Sequence, residues 1–249
     1  MSESAPVIVL RGLSREAAHA EAFLQALRNA LPNHTVHCPD LPGTGQRFQE
    51  RSPNRVEAIV SELRRTAPEG NKHLVGISLG GMIACEWARQ TATETRSLTM
   101  VNASLRRYSF FWQRLRWQQA ARIISALWHW RNVEKRERRI MALVSNLPFD
   151  AERLRQWVAI QRARPVSWQT ISRQMQAAAH YAGPINAPCP NTQVLISRQD
   201  KLVSPACSEQ IAAAWRVPAH YHPEGGHDLF LDAPSWAARQ VADWILHHN

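Results

Sequence analysis

One short segment of the chain has the residues and spacing of a serine nucleophile. In Gly76-Ile77-Ser78-Leu79-Gly80 the serine has a glycine two positions to either side. Between a strand and a helix, this pattern is typical of a nucleophile elbow, a sharp turn in which glycines let neighbouring backbone pass closely. The turn would hold Ser78 at the helix N-terminus, where the Leu79 amide can donate to a developing oxyanion. The alternative is a tight turn with an idle serine.

A serine hydroxyl needs a base and an orienting acid before it becomes a good nucleophile. His227 follows the last predicted strand and is the candidate base. Asp200 follows an earlier strand and is the candidate acid, with helix capping or a surface ion pair as its alternative role. Asp228 is adjacent to His227, so we do not expect it to fold back onto the same imidazole. The sequence therefore predicts a triad of Ser78, His227 and Asp200.

The elements around these residues alternate between strands and helices, which predicts a mostly parallel, doubly wound α/β sheet with helices on both faces. Short apolar runs predict strands at 7–10, 35–38, 73–77, 98–101, 193–196 and 219–222. Helical periodicity predicts helices at 15–30, 53–65, 82–90, 208–215 and 234–247.

A helical block interrupts this alternation after the fourth predicted strand. Its periodicity predicts four helices, at 110–131, 134–146, 150–163 and 166–181, with almost no strand pattern. We therefore divide the chain into an α/β core, residues 1–104 and 184–249, and an inserted all-helical segment, residues 105–183.

Taken together, these motifs resemble the α/β-hydrolase fold family over nearly the whole chain. The matching blocks occur in the family's order: Leu10-Arg11-Gly12-Leu13, Asp40-Leu41-Pro42-Gly43-Thr44-Gly45, Gly76 to Gly81, Asp200 to Pro205, and Gly226-His227. The resemblance implies that Leu13 supplies the second oxyanion-hole amide beside Leu79. It also implies that residues 105–183 form a cap over the site. Arg11 departs from the family pattern, which usually has histidine before the glycine.

The resemblance implies a serine carboxylesterase that works through an acyl-enzyme and needs no metal or organic cofactor. Its activity should fall at acid pH with a midpoint near ~6–7, as expected of an ordinary imidazole. A thioesterase and a triad-dependent lyase, as in menaquinone biosynthesis, are alternatives. A further alternative is a non-catalytic protein that binds nucleic acid or an anionic membrane through its basic block. The intact triad argues against that last class, so no nucleic acid partner is expected.

The positive charge of the chain is concentrated in the helical block. The net charge is +10, and residues 105–181 contain 15 basic and four acidic residues. The four-helix cap makes the chain similar to pimeloyl-carrier-protein methyl ester esterases, which implies cap arginines that dock an acidic acyl carrier protein. The candidates by charge are Arg106, Arg107, Arg114, Arg116, Arg122, Arg138 and Arg139. A solvated helix face is the alternative.

Two observations concern the cellular location. The N-terminus has no basic region before its short apolar run, and no apolar run is long enough to span a membrane. The four cysteines show no paired spacing. We therefore expect a cytoplasmic protein with reduced thiols.

Overall fold

Six strands form a single, fully parallel sheet, which confirms the predicted fold class. The computed structural model describes residues 4–248, apart from the side chains of Trp117, Ala120, Ala126 and Leu127. Residues 1–3 and 249, which fall within the predicted core, lie outside it. The strands are β1 (Val7–Leu10), β2 (Val36–His37), β3 (Lys72–Ile77), β4 (Thr95–Val101), β5 (Thr192–Ser197) and β6 (Ala219–His222). The sheet order is β2-β1-β3-β4-β5-β6.

Most helices lie close to their predicted positions. The helix predicted at 15–30 begins at Glu21, the one predicted at 82–90 begins at Leu79, directly after Ser78, and the one predicted at 208–215 begins at Pro205. The short helix Leu229–Asp232 was not predicted, and the first helix of the inserted block is broken. Short 3₁₀ helices occur at Ala17–Ala20, Gly45–Arg47 and Trp117–Gln119. The α-helices are α1 (Glu21–Ala30), α2 (Val56–Arg64), α3 (Leu79–Gln90), α4 (Phe111–Arg114), α5 (Ala120–Trp128), α6 (Val133–Val144), α7 (Ala151–Ala163), α8 (Trp168–His180), α9 (Pro205–Trp215), α10 (Leu229–Asp232) and α11 (Pro234–His247).

Apolar residues on both faces of the central strands bury the sheet between two helical layers. In β1, for example, Ile8 belongs to a core cluster with α2, α3 and α9, whereas Val7 and Val9 belong to one with α1 and α11. Strands buried on both sides read as continuous apolar runs, which is why they were recognisable in the sequence. Because all the strands are parallel, their carboxyl ends lie along one edge of the sheet, where ligands bind in open α/β folds.

The inserted helices have a small core of their own and also pack on the sheet domain. Between α6 and α7, Met141, Leu154 and Trp157 are buried together. At the end of α8, Tyr181 belongs to the main core instead, and its hydroxyl donates to the Glu86 carboxylate at 3.1 Å. The helical block is therefore fastened to α3 at its C-terminal end.

The single helix predicted at 110–131 is wrong. The chain forms α4, then an extended residue at Leu115, then the 3₁₀ helix and α5. The Arg116 amide donates to the Leu202 carbonyl at 2.9 Å, and the Gln113 carbonyl accepts from the Ser204 amide at 2.8 Å. These backbone groups are satisfied by a loop of the core, so they are not available for a continuous helix.

The structure also describes the state of the cysteines and the length and hydrophobicity of the helices. Within the described chain, all four cysteines are free. Burial raises the pKa of Cys38 and of Cys85 to about 12, so both thiols stay protonated at neutral pH. No helix between residues 4 and 248 combines the length and the hydrophobicity that crossing a membrane would require.

Candidate active site

Ser78 lies in a strained turn between β3 and α3. Its φ is +56° and its ψ is −120°, a conformation that residues other than glycine rarely adopt. The Ser78 amide donates to the Val101 carbonyl at 2.9 Å, and the Ser78 carbonyl accepts from the amides of Gly81 and Met82 at 3.0 and 3.2 Å. Bonds on both sides of the residue therefore hold the turn that the glycine spacing predicted.

The glycines of this turn are required by close backbone approach. A Cβ atom at Gly76 would collide with the Gly80 carbonyl, and one at Gly80 would collide with the Leu10 carbonyl. A Cβ at Gly12 would lie 3.4 Å from the Ser78 Cβ. The loop after β1, which carries Leu13, is therefore packed directly against the serine.

Asp200 and His227 form a buried hydrogen bond. The His227 Nδ1 lies 2.7 Å from the Asp200 Oδ2, and the two side chains are 6% and 2% exposed. The other carboxylate oxygen of Asp200 accepts from the amides of Leu202 and Val203 at 2.8 and 3.0 Å. With Nδ1 as the donor, Nε2 is the imidazole atom that can accept a proton.

This environment shifts the basicity of His227. Burial lowers the pKa of the imidazole, but the charge and the hydrogen bond of Asp200 outweigh burial and raise the pKa above its ordinary value of 6.5. The sequence predicted the pKa of an ordinary imidazole. In the structure the pKa of His227 is higher, which corrects that prediction.

Ser78, His227 and Leu13 line the same cavity. The cavity has a volume of about 170 Å³. Leu79 is the first residue of α3, so its amide is one of those that a helix leaves without an internal acceptor. The inserted helices supply apolar lining of this cavity, through Ile123, Ile140, Leu143, Val144, Ile171 and Met175.

Arg11 and Asp228 form a second buried pair beside the histidine. The Arg11 guanidinium donates to both Asp228 oxygens, at 3.2 Å from Nη1 and 2.7 Å from Nη2. Burial raises the pKa of Asp228, but the charge and hydrogen bonds of Arg11 outweigh it and hold that pKa below its usual range. Both carboxylate oxygens of Asp228 are thus bonded to Arg11, and the orienting carboxylate at His227 is that of Asp200. The pair links the loop after β1, which carries Leu13, to the loop of His227.

Asn102, at the end of β4, was not predicted to belong to the site. Its side-chain amide donates to the His227 carbonyl and to the Ser197 hydroxyl, both at 2.8 Å, and its oxygen accepts from the Ser197 amide at 2.8 Å. Asn102 also has a positive φ of 44°. One buried side chain therefore joins the ends of two strands to the histidine loop.

The helical block also braces both loops. The Val144 carbonyl accepts from the Asp228 amide at 2.9 Å. The Asn146 side chain donates to the carbonyls of Gln199 and Glu224, both at 3.0 Å. The inserted segment therefore helps to position the loops of Asp200 and His227.

The structure divides the candidate docking arginines into two groups. Arg114 donates to the carbonyls of α8, Arg116 to the Asp200 carbonyl at 3.0 Å, and Arg139 to the Ser125 hydroxyl at 2.7 Å. These three are half-buried and brace the protein. The four exposed candidates are Arg106, Arg107, Arg122 and Arg138.

Replacing Arg11 by methionine should destabilise the fold by about 3–5 kcal/mol, because it leaves the buried Asp228 carboxylate without its partner. Urea denaturation of Arg11→Met and wild type measures the difference. Replacing both partners, as in Arg11→Met with Asp228→Leu, should recover part of the loss.

The matched control is Arg28→Ala, which breaks the exposed pair with Glu21 and should cost no more than about 1 kcal/mol. If Arg11→Met unfolds at the same urea concentration as this control, the buried pair does not hold the two loops together.

Comparison with known proteins assigns the chain to a family. A model of the alpha/beta hydrolase family matches residues 7–240. Pimeloyl-[acyl-carrier protein] methyl ester esterases of Xanthomonas campestris pv. campestris (strain B100) and Xanthomonas oryzae pv. oryzae (strain MAFF 311018) are 31% identical over 101 residues. That alignment covers 41% of this chain and 38% of each relative, so the chain matches well under half of their length.

Solved structures show the same fold over nearly the whole chain. A putative lipase from Acinetobacter baumannii AYE superposes with a TM-score of 0.78 at 21% identity, over 99% of this chain and 85% of that one. A thermophilic esterase from Thermogutta terrifontis gives 0.71 at 19% identity, over 99% and 91%. The family match, the parallel sheet and these neighbours agree: the chain belongs to the α/β hydrolase family.

Proposed function

We propose that the protein is a serine hydrolase that cleaves carboxylic esters, with Ser78 as nucleophile, His227 as general base and Asp200 as orienting acid. The observation that carries the proposal is the buried hydrogen bond between Asp200 and His227. The His227 imidazole lines the same cavity as Ser78, whose backbone is strained. Acyl transfer by a serine needs a nucleophile, a base and an orienting acid. Here the three candidates lie on three separate loops at the same edge of the sheet.

In the proposed mechanism the Ser78 oxygen attacks the ester carbonyl while His227 Nε2 accepts the serine proton. The same proton is then returned to the leaving alcohol, and water repeats the two steps to release the acid. Asp200 fixes the ring tautomer and stabilises the imidazolium. The amides of Leu13 and Leu79 would bind the oxyanion, and one such donor is typically worth about 3 kcal/mol of the barrier.

The same proposal treats residues 105–183 as a cap over a core of residues 1–104 and 184–249. Support comes from the cavity wall, since Ile123, Leu143 and Ile171 belong to three of the inserted helices. The apolar lining of the cavity that contains the nucleophile favours an aliphatic or aromatic acyl group. Oxygen esters are the primary proposal, and thioesters use the same chemistry.

Replacing Ser78 by alanine should reduce hydrolysis of p-nitrophenyl acyl esters by at least about 10⁴-fold, because no other group replaces the nucleophile. Steady-state rates on esters of increasing acyl length measure the effect and also define chain-length preference. Ser61→Ala, an exposed serine on α2, is the control and should retain the wild-type rate. A rate in Ser78→Ala close to that of wild type would show that Ser78 is not the nucleophile.

Activity should fall as the pH drops through the pKa of His227, because only the neutral imidazole can accept the serine proton. Since Asp200 raises that pKa, we expect the midpoint of the acid limb of kcat/KM above 6.5. Asp200→Asn should move the midpoint to lower pH and reduce kcat by roughly 10⁴-fold.

Two results of the pH experiment would contradict the assignment. One is a flat wild-type profile between about pH 5 and 8, where an imidazole titrates. The other is an Asp200→Asn profile with an unchanged midpoint, since the carboxylate charge would then not act on the base.

A second candidate function is hydrolysis of an ester carried by an acidic acyl carrier protein. Two observations favour it. The partial relatives are named pimeloyl-[acyl-carrier protein] methyl ester esterases, and Arg106, Arg107, Arg122 and Arg138 are exposed on the helical block. Such a surface would attract an acidic carrier through long-range charge.

The carrier candidate predicts a specific dependence on salt. Between roughly 0.05 and 0.5 M salt, kcat/KM for a carrier-bound methyl ester should fall steeply, because exposed charges are screened over this range. The rate on a small neutral ester serves as the internal control and should stay nearly constant. Equal responses of the two substrates would argue against docking of a carrier.

A further inference from the structure

We propose that the outer surface of residues 110–128 docks on an anionic lipid surface. We call this surface the aromatic ridge and define it by its exposed apolar side chains. They are Phe110, Phe111, Trp112, Leu115, Ile124 and Trp128. Thirteen large apolar side chains are exposed in the described part of the chain, and six of them lie in these 19 residues. Exposed apolar side chains concentrated in one segment in this way mark an interaction site.

Three of the aromatic rings of the ridge contact one another. The rings of Phe110 and Trp112 stack at 4.7 Å, and Phe111 meets Trp112 edge to face at 5.0 Å. Phe111 nevertheless remains 79% exposed and Trp128 85% exposed. The aromatic side chains therefore project from the protein instead of filling its core.

Helix α5 has apolar residues on two of its sides. Ile124 and Trp128 lie four positions apart, so they share one helix face, and both are exposed. Ile123 lines the cavity that contains Ser78. The cavity therefore accounts for Ile123 but not for Ile124 and Trp128. A surface docked on Ile124 and Trp128 would contact a different side of the helix from the one that lines the cavity.

The charge of this segment identifies the kind of surface that fits. Residues 105–133 contain six arginines and neither aspartate nor glutamate. Arg114 and Arg116 are half-buried and bond to the protein, whereas Arg106, Arg107, Arg122 and Arg131 are exposed. Of the exposed four, Arg107 also donates to the Gly183 carbonyl and Arg122 to the Gln119 side chain, both at 3.1 Å. Aromatic side chains with surrounding arginines are the combination that holds a helix at the interface of an anionic bilayer.

A lipid surface fits the shape of the ridge better than a folded partner does. Projecting tryptophan and phenylalanine rings enter the headgroup region of a bilayer without a matching cavity. A protein partner would need grooves complementary to all six side chains. We therefore assign the ridge to lipid, and an acidic carrier protein remains an outcome of the test.

Vesicle sedimentation tests this assignment on the full-length protein. Wild type should sediment with phosphatidylglycerol–phosphatidylcholine vesicles and much less with phosphatidylcholine alone, and added salt should weaken the binding. The double variant Phe111→Ser with Trp128→Ser should bind at least tenfold more weakly. Arg106→Glu with Arg131→Glu should lose the preference for anionic vesicles.

The matched control is Arg239→Glu with Leu246→Ser, which changes one exposed arginine and one exposed leucine on α11 and should bind like wild type. Far-ultraviolet circular dichroism and thermal unfolding check that each variant is folded. Ser78→Ala should also bind like wild type, so vesicle binding is measured independently of catalysis.

Three results would overturn the proposal. The first is no sedimentation of wild type with anionic vesicles. The second is a folded Phe111→Ser, Trp128→Ser variant that binds like wild type. The third is a wild-type protein that does not bind vesicles but binds an acidic acyl carrier protein saturably, with the binding abolished in this variant. That result would assign the ridge to a protein partner.

Discussion

The hydrogen bond between Asp200 and His227 is the interaction on which the candidate site depends. A carboxylate buried this deeply must have its oxygens occupied, and Asp200 satisfies that requirement with the imidazole and two backbone amides. The same contact fixes which ring nitrogen is free and raises the pKa of His227. Because the two residues lie on loops after different strands, the contact exists only if both loops are held in place.

The surrounding structure supplies that support from three directions. Asn102 joins the ends of β4 and β5 to the His227 carbonyl. The Arg11–Asp228 pair joins the end of β1 to the residue after the histidine. The inserted helices contact the same loops through Val144 and Asn146. The helical block therefore has a structural role at the site as well as forming the cavity wall.

Sequence patterns predicted the parts of this arrangement that local physics determines. Glycine spacing predicted the Ser78 turn, and continuous apolar runs predicted β1 and β6 with the bounds observed. Contacts between distant residues were not predictable in this way. Arg11 and Asp228 are 217 positions apart, and each alone reads as an ordinary charged loop residue. The break in the helix predicted at 110–131 was unpredictable for the same reason, because the backbone groups of Arg116 and Gln113 bond to a loop some 90 residues away.

The most direct test of the account is covalent labelling with a fluorophosphonate, followed by mass spectrometry of the modified peptide. The account predicts an adduct on Ser78 at neutral pH in the wild-type protein. It also predicts labelling at least about 100-fold slower in His227→Ala, because the serine then lacks its base. A folded wild-type protein whose Ser78 stays unmodified, or a His227→Ala variant that reacts as fast as wild type, would contradict the account.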